Sequence, residues 1–202
     1  MKAAIKTITG NVIPMPLNDI DTDIIIPAQH LTQTSRAGYG QHAFARLKKA
    51  DPEFVLNQPR FASATILVTG DNFGCGSSRE HAVWAIQELG IQAVVAPSFA
   101  DIFSNNAQKN HLPLITVDQS VCAQMVALAH KDNHPVTIDL LTTTLCAGGQ
   151  QHPFTINPFF QHVLTAGLDE LDYLMNHLAA IKRHHQNADQ RQCFLQLAGA
   201  LS

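Results

Sequence analysis

The sequence predicts an α/β fold with a mostly parallel central sheet, flanking helices and added antiparallel strands. Short apolar runs rich in β-branched residues lie at 65–69, 91–96 and 112–117, as is typical of buried strands. Helical spacing of apolar residues separates these runs, and alternating strands and helices favour a parallel sheet. Three further strand-like runs follow without an intervening helix, at 136–140, 143–146 and 154–156, which indicates antiparallel pairing.

The remaining elements follow from local signals along the chain. Residues 3–13 predict a strand, a turn at Gly10-Asn11 and a second short strand. The acidic segment 18–23 predicts a polar turn before a strand that contains Ile24–Ile26. Apolar spacing predicts helices that begin at Ala43 and near Ser98, a helix over 119–130, and helical structure over 158–183 interrupted at Gly167. Residues 48–64 are predicted to be a connecting loop.

The chain length of 202 residues suits one domain. We expect this domain to span residues 1–183 and the segment 184–202 to be a loosely ordered tail. No internal repeat is visible.

Composition excludes several classes of function. A formal net charge of −3 with 14% charged residues leaves no basic patch for nucleic acid. The cysteines Cys75, Cys122, Cys146 and Cys193 are far apart, which argues against a zinc or iron–sulfur site within this chain and suits a reducing compartment. No apolar run has the length of a signal peptide or a membrane span. We therefore expect a cytoplasmic protein with no bound metal and no membrane partner.

The stretch 70–86 carries most of the chemical information. It connects the strand at 65–69 to a helix, and Ser77 followed by Glu80 predicts a capping box at the start of that helix. Gly74 and Gly76 allow the backbone to approach a ligand closely. Arg79 near a helix start opposes the helix dipole, so the pattern favours a bound carboxylate or phosphate. The plainer alternative is a capped helix with a solvated Arg79.

Two other classes of function remain open on these residues. A thiol hydrolase would use Cys75 as its nucleophile and His81 or His111 as its base. A non-catalytic module that binds an anion or a nucleotide would use the glycine-rich loop, although no lysine stands at the helix start as a phosphate loop requires.

The residues at 72–82, Asn-Phe-Gly-Cys-Gly-Ser-Ser-Arg-Glu-His-Ala, resemble the signature of the aconitase-type swivelling domain. Further stretches at 21–27, 97–103 and 167–171, together with Asn105-Asn106, are similar to the 3-isopropylmalate dehydratase small subunits within that family. The resemblance covers about residues 1–183. It implies a single swivelling β/β/α domain like the fourth domain of aconitase.

The resemblance also implies an activity and its residues. A hydro-lyase of this kind interconverts 2-isopropylmalate and 3-isopropylmalate through an alkene, with Ser77 as the base and Arg79 as the clamp for a substrate carboxylate. Ser78, Asp23 and Arg36 are the further substrate-binding residues that it assigns. The family's four-iron cluster belongs to a large subunit, which becomes the expected partner. Related family members act on citraconate, dimethylmalate or homoaconitate, and these substrates stay open as alternatives.

Overall fold

The computed structural model describes residues 3–31, 37–131 and 134–199, which form two four-stranded sheets with helices packed against them. The first sheet is parallel and has the order β2 (Val12–Met15), β3 (Ile66–Thr69), β4 (Ala93–Ala96) and β5 (Leu114–Thr116). Its three longer strands are buried along their whole length. Unbroken apolar runs produce such strands because both faces of a parallel sheet are covered.

Helices cover both faces of this parallel sheet. α3 (Glu80–Glu88) and α4 (Asp101–Lys109) connect its strands and pack in one core cluster with Leu67 and Val94. α5 (Gln119–Lys131) lies on the opposite face with the neighbouring side chains of β3 and β4. Successive strand residues therefore serve two different cores, as the alternation of side chains along a strand requires.

The second sheet is antiparallel and has the order β1 (Thr7–Gly10), β6 (Val136–Asp139), β7 (Thr144–Ala147) and β8 (Gln150–Pro153). Its apolar face shares the α5 core and is covered in part by α6 (Pro158–Ala166). The remaining α-helices are α1 (Thr22–Ile25), α2 (Ala45–Ala50), α7 (Glu170–Asn176) and α8 (Leu178–Gly199), and short 3-10 helices lie at Ala28–His30, Gly40–His42, Val55–Asn57 and Pro59–Phe61.

The predicted α/β class and the parallel sheet are confirmed, while two predicted strands are corrected. The predicted strand at Ile24–Ile26 is wrong, because the Asp21 carboxylate caps Ile24 N at 2.7 Å and α1 begins at Thr22. The last antiparallel strand is β8 rather than residues 154–156, because Gly148 and Gly149, both at positive φ, make a two-residue hairpin turn directly after β7.

The end of the predicted domain is not marked by a change of secondary structure. α8 runs from Leu178 to Gly199 and so passes through residue 183, where we expected the loosely ordered tail to start. The division of the chain at this residue stays a prediction.

Candidate active site

The candidate site lies at the carboxyl edge of the parallel sheet, where the loops after β2, β3 and β4 meet. Two isolated bridges, Asp21 with Cys75 and Phe73 with Phe99, extend the parallel pairing into these loops. Open α/β sheets bind their ligands at this edge. The topology therefore brings the glycine-rich loop 70–79 next to the start of α1 and the start of α4.

Two glycines determine the path of this loop. Gly74 and Gly76 have φ of 81° and 89°, a region that side chains disfavour. A Cβ at Gly74 would lie 2.2 Å from Cγ of Phe103, so no side chain fits there. The Thr22 hydroxyl donates to the Ser77 carbonyl at 2.9 Å and ties the loop to α1.

The start of α3 differs from the predicted capping box. The helix begins at Glu80, and Arg79 occupies the N-cap position with φ of −131° and no side-chain capping bond. The Glu80 carboxylate accepts a hydrogen bond from Asn110 Nδ2 at 2.8 Å. The capping box is therefore wrong: Ser77 is held to α1 by its carbonyl, and the helix starts three residues later.

The two serines of the loop present their side chains at the surface. Ser77 and Ser78 are both exposed. In the part of the chain that the structure describes, neither hydroxyl takes part in a hydrogen bond. Both hydroxyls are therefore available to a ligand at the carboxyl edge of the sheet.

Arg79 forms a two-pronged ion pair with Asp23. Arg79 Nη2 donates to Asp23 Oδ2 at 2.9 Å, and Nη1 lies 2.5 Å from Oδ1. The Arg79 side chain is 14% exposed and that of Asp23 is 39% exposed. Among the described residues, the buried Nη1 has no hydrogen bond of good geometry, although it is close to Oδ1. The guanidinium thus has a fixed orientation, and the contacts with Asp23 engage only some of its five N–H donors.

The electrostatics of this pair explain why a cation is tolerated at the start of a helix. The hydrogen bond from Arg79 is the main cause that lowers the pKa of Asp23, and the same bond raises the pKa of Arg79. The Asp23 carboxylate offsets the unfavourable position of Arg79 in the field of the helix. The structure thus pairs two residues that the resemblance assigns to substrate binding, and that assignment stays a prediction.

Arg36, the fifth predicted site residue, lies outside the described residues. The chain that follows it is anchored to the far end of α3. Gly38 N and Gly40 N donate to the Glu88 carboxylate at 3.0 Å and 2.7 Å. The sequence analysis did not identify Glu88 as the residue that holds this turn. The available signal was the pair Gly38 and Gly40, whose backbone N–H groups need an acceptor.

Tyr39 lies between those glycines and is fully buried. Its ring packs edge-on against His81 at 5.2 Å between centroids and lies 5.8 Å from Trp84. This aromatic cluster places the turn 38–40 on α3, the helix that begins at the candidate site.

The thiol-hydrolase alternative is not supported by the surroundings of its residues. Burial and the carboxylates of Asp21 and Asp19 raise the pKa of Cys75, whereas a thiol nucleophile needs a lowered one. His81 packs against Tyr39, and His111 Nε2 lies 2.7 Å from the Leu168 carbonyl. Cys75 therefore has the environment of a structural cysteine.

The described cysteines do not form a ligand set for a cluster. Cys75 lies in the site loop, Cys122 is buried on α5 with its pKa raised to about 11, and Cys146 lies on β7. Thiolates that hold an iron–sulfur cluster must converge on one point. Within the described ranges no group of three or more His, Cys, Asp or Glu side chains is placed to hold a metal ion.

The comparison with family models decides the identity of this fold. Residues 2–120 match the model described as the aconitase C-terminal domain. The chain belongs to the aconitase C-terminal domain family. The match to this family covers the parallel sheet, the loop 70–79 and the Asp23–Arg79 pair.

Relatives within the aconitase C-terminal domain family extend the similarity over most of the chain. The chain is 48% identical over 184 residues to a protein of Francisella tularensis subsp. novicida named 3-isopropylmalate dehydratase small subunit, covering 91% of this chain and 97% of that protein. A protein of the same name from Roseiflexus castenholzii is 46% identical over 187 residues, covering 89% and 92%.

A solved structure agrees with this assignment. The crystal structure of 3-isopropylmalate dehydratase from Methanocaldococcus jannaschii superposes with a TM-score of 0.64 at 30% identity, covering 88% of this chain and 99% of that one. The resemblance predicted from the motif at 72–82 is confirmed. None of the described helices has the length and apolar character needed to cross a membrane.

Proposed function

We propose that this chain is the small subunit of a two-chain hydro-lyase that interconverts 2-isopropylmalate and 3-isopropylmalate in leucine biosynthesis. Relatives that carry this small-subunit name are 43–48% identical to the chain over most of their length. The observation that carries the proposal is the arrangement at the carboxyl edge of the sheet. There an exposed Ser77 precedes a helix whose first cation, Arg79, is oriented by Asp23.

Ser77 is the base in this proposal. As an alkoxide, its Oγ takes a proton from the carbon next to a substrate carboxylate, while hydroxide leaves the adjacent carbon and an alkene forms. Rehydration returns the proton and the hydroxyl to exchanged carbons. A serine acts as a base only where its alkoxide is stabilised, and the amino end of α3 together with the Arg79 charge supplies that field.

Arg79 binds a substrate carboxylate with the donors that Asp23 leaves unused. A guanidinium carries five N–H groups, and the pair with Asp23 engages one edge of it. Asp23 therefore acts as the group that orients Arg79. Ser78 and Arg36 complete the substrate-binding set in this proposal, with Ser78 next to the base on the exposed loop.

The partner in this proposal is a large subunit that carries the iron–sulfur cluster. The separate positions of Cys75, Cys122 and Cys146 support a cluster outside this chain. When bound, the cluster supplies the Lewis acid for the hydroxyl group. We assign the assembled enzyme to the cytoplasm.

Reconstitution with the large subunit tests the proposal. Each subunit alone is expected to be inactive, and the mixture is expected to isomerise 2-isopropylmalate. In the mixture, Arg79→Lys is expected to raise KM strongly, because lysine keeps the charge but loses the planar fork. Steady-state kinetics on each dehydratase substrate of the family, including citraconate and dimethylmalate, measures both the activity and its specificity.

Arg60→Lys is the matched control. Arg60 lies over the Phe61 ring and contacts His130, on a different part of the chain. The Arg60→Lys substitution is expected to leave KM for the substrate unchanged. A complex that assembles with its cluster intact but acts on none of these substrates would contradict the proposal, as would a normal KM in Arg79→Lys.

A further inference from the structure

Two histidines stack on each other beside the candidate site. The rings of His30 and His42 have centroids 3.8 Å apart and planes within 8° of parallel. His30 ends the 3-10 helix Ala28–His30, and His42 ends the 3-10 helix Gly40–His42. The stack therefore joins two short helices that are separate in the sequence.

A polar contact to His30 is compatible with an uncharged ring. Gln29 Nε2 lies 3.1 Å from His30 Nε2. An amide nitrogen donates, so this contact is a hydrogen bond when His30 Nε2 is unprotonated, as it can be in a neutral imidazole. Protonation of His30 would remove this acceptor and would place a positive charge against His42.

Both short helices are connected to α3 through carboxylates. Ala28 N, at the start of the first, donates to Asp23 Oδ1 at 3.3 Å, and Asp23 in turn holds Arg79. Gly40 N, at the start of the second, donates to Glu88 on α3. The His30–His42 stack thus bridges the carboxylate that orients Arg79 and the carboxylate at the other end of the same helix.

Charged and titratable groups of α1, α2 and α3 face the two short helices that carry the stack. Asp23 faces the first short helix from α1, and Arg46 on α2 acts on that carboxylate. Glu88 and His81 face the second short helix and Tyr39 from α3.

We propose that His30 and His42 are a positioning pair, which keeps Asp23 on Arg79 and so sets the affinity for substrate as long as the two rings are not both charged. The inference rests on the function proposed above. Burial and the charge of His42 lower the pKa of His30 below its ordinary value of 6.5. The folded chain therefore favours the neutral ring, and the contribution of the pair is complete above pH 6.5 and is lost as the pH falls through the lowered folded pKa.

The first test is the pH dependence of the reconstituted enzyme. Between about pH 8 and pH 5.5, KM of the wild type is expected to rise roughly two- to tenfold, the range set by one aromatic pair, with a smaller change in kcat. His30→Phe and His42→Phe keep a ring for stacking but remove one charge, so each is expected to abolish the rise. His177→Phe is the matched control, because His177 stacks on Tyr173 and not on the site, and it should keep the wild-type profile.

The second test uses the full chain alone and separates this inference from the proposed function. In NMR titrations His42→Phe is expected to move the pKa of His30 upward, because it removes the neighbouring charge that helps to lower it. A His30 pKa that does not move in His42→Phe, or a KM rise that persists in both Phe variants, would overturn the inference. A His30 pKa that moves as expected in a chain that supports no isomerase activity would instead contradict the proposed function alone.

Discussion

Arg79 stands where the partial positive charge of α3 is greatest, and Asp23 is the residue that makes this position acceptable. The two residues are 56 positions apart in the sequence, yet Nη1 and Nη2 of Arg79 lie opposite Oδ1 and Oδ2 of Asp23. The sequence motif identifies each residue. It does not identify their pairing, because the fold of α1 decides where Asp23 points.

The orienting role of Asp23 leads to a prediction for Asp23→Asn in the reconstituted enzyme. Its kcat/KM is expected to fall roughly ten- to a hundredfold, the usual effect of losing a group that orients another functional side chain. Asp51→Asn is the control, because the Asp51 carboxylate accepts from the backbone N–H of Glu53 on the connecting segment, away from Arg79. Equal kinetics in the two variants would show that Asp23 does not orient Arg79.

The pH behaviour of the pair gives this prediction a second measurement. The folded pKa of Asp23 is lowered from 3.8, so its contribution is complete above that value and is lost only as the pH falls through the lowered pKa. Any loss of substrate affinity between about pH 8 and pH 5.5 therefore cannot come from protonation of Asp23 and is expected to disappear with the histidine variants.

At the scale of elements, α3 connects the parts of the site to one another. Arg79 precedes its first residue, Glu88 at its last holds the turn 38–40, and Asn110 fastens it to α4. Asn110 is 7% exposed and accepts from Trp84 Nε1 at 2.9 Å while donating to Glu80. Apolar periodicity predicts that a helix follows the loop, but the residue where it starts depends on contacts with α1 and α4 that periodicity does not contain.

The loop before α3 yields a prediction based on two glycines with similar φ. Gly74→Ala and Gly90→Ala both place a side chain at positive φ, 81° and 84°, but only Gly74 has a neighbour in the way. The Cβ of Gly74→Ala would overlap the Phe103 ring, whereas nothing lies within 4 Å of the position at Gly90. The free energy of unfolding should fall by about 1–3 kcal/mol more for Gly74→Ala, the usual cost of overpacking.

Chemical denaturation of the isolated chain measures this difference. Gly90→Ala carries the backbone strain alone, so it serves as the control for the steric part. Equal losses of stability in the two variants would mean that the loop moves away from Phe103 without cost.

At the scale of the whole molecule, the site lies at the carboxyl edge of the parallel sheet. Each face of that sheet packs in its own buried core cluster. The alternation of strands and helices between 65 and 117 predicts the parallel sheet, which is the part that positions Ser77, Ser78 and Arg79. Of the separate antiparallel sheet, β1, β6 and β7 were predicted as strands, while β8 was misplaced at 154–156. Its assembly pairs β1 near the start of the chain with β6 beyond residue 135, and a local pattern contains no information about so distant a partner.

In the molecule as a whole, Ser77 is exposed at the carboxyl edge of the parallel sheet, and Asp23 already orients Arg79 beside it. Such an arrangement suits a surface that closes against a second polypeptide.

The most direct test is the rate at which the reconstituted enzyme forms the alkene from 2-isopropylmalate, compared between Ser77→Ala and Ser104→Ala. The Ser104 hydroxyl donates to the carbonyl of Ala100, the N-cap residue of α4, and this serine is the control. Removing the base is expected to slow alkene formation by roughly a hundredfold to ten-thousandfold in Ser77→Ala, while Ser104→Ala stays near the wild-type rate. An assembled Ser77→Ala enzyme that forms the alkene at the wild-type rate would contradict the account.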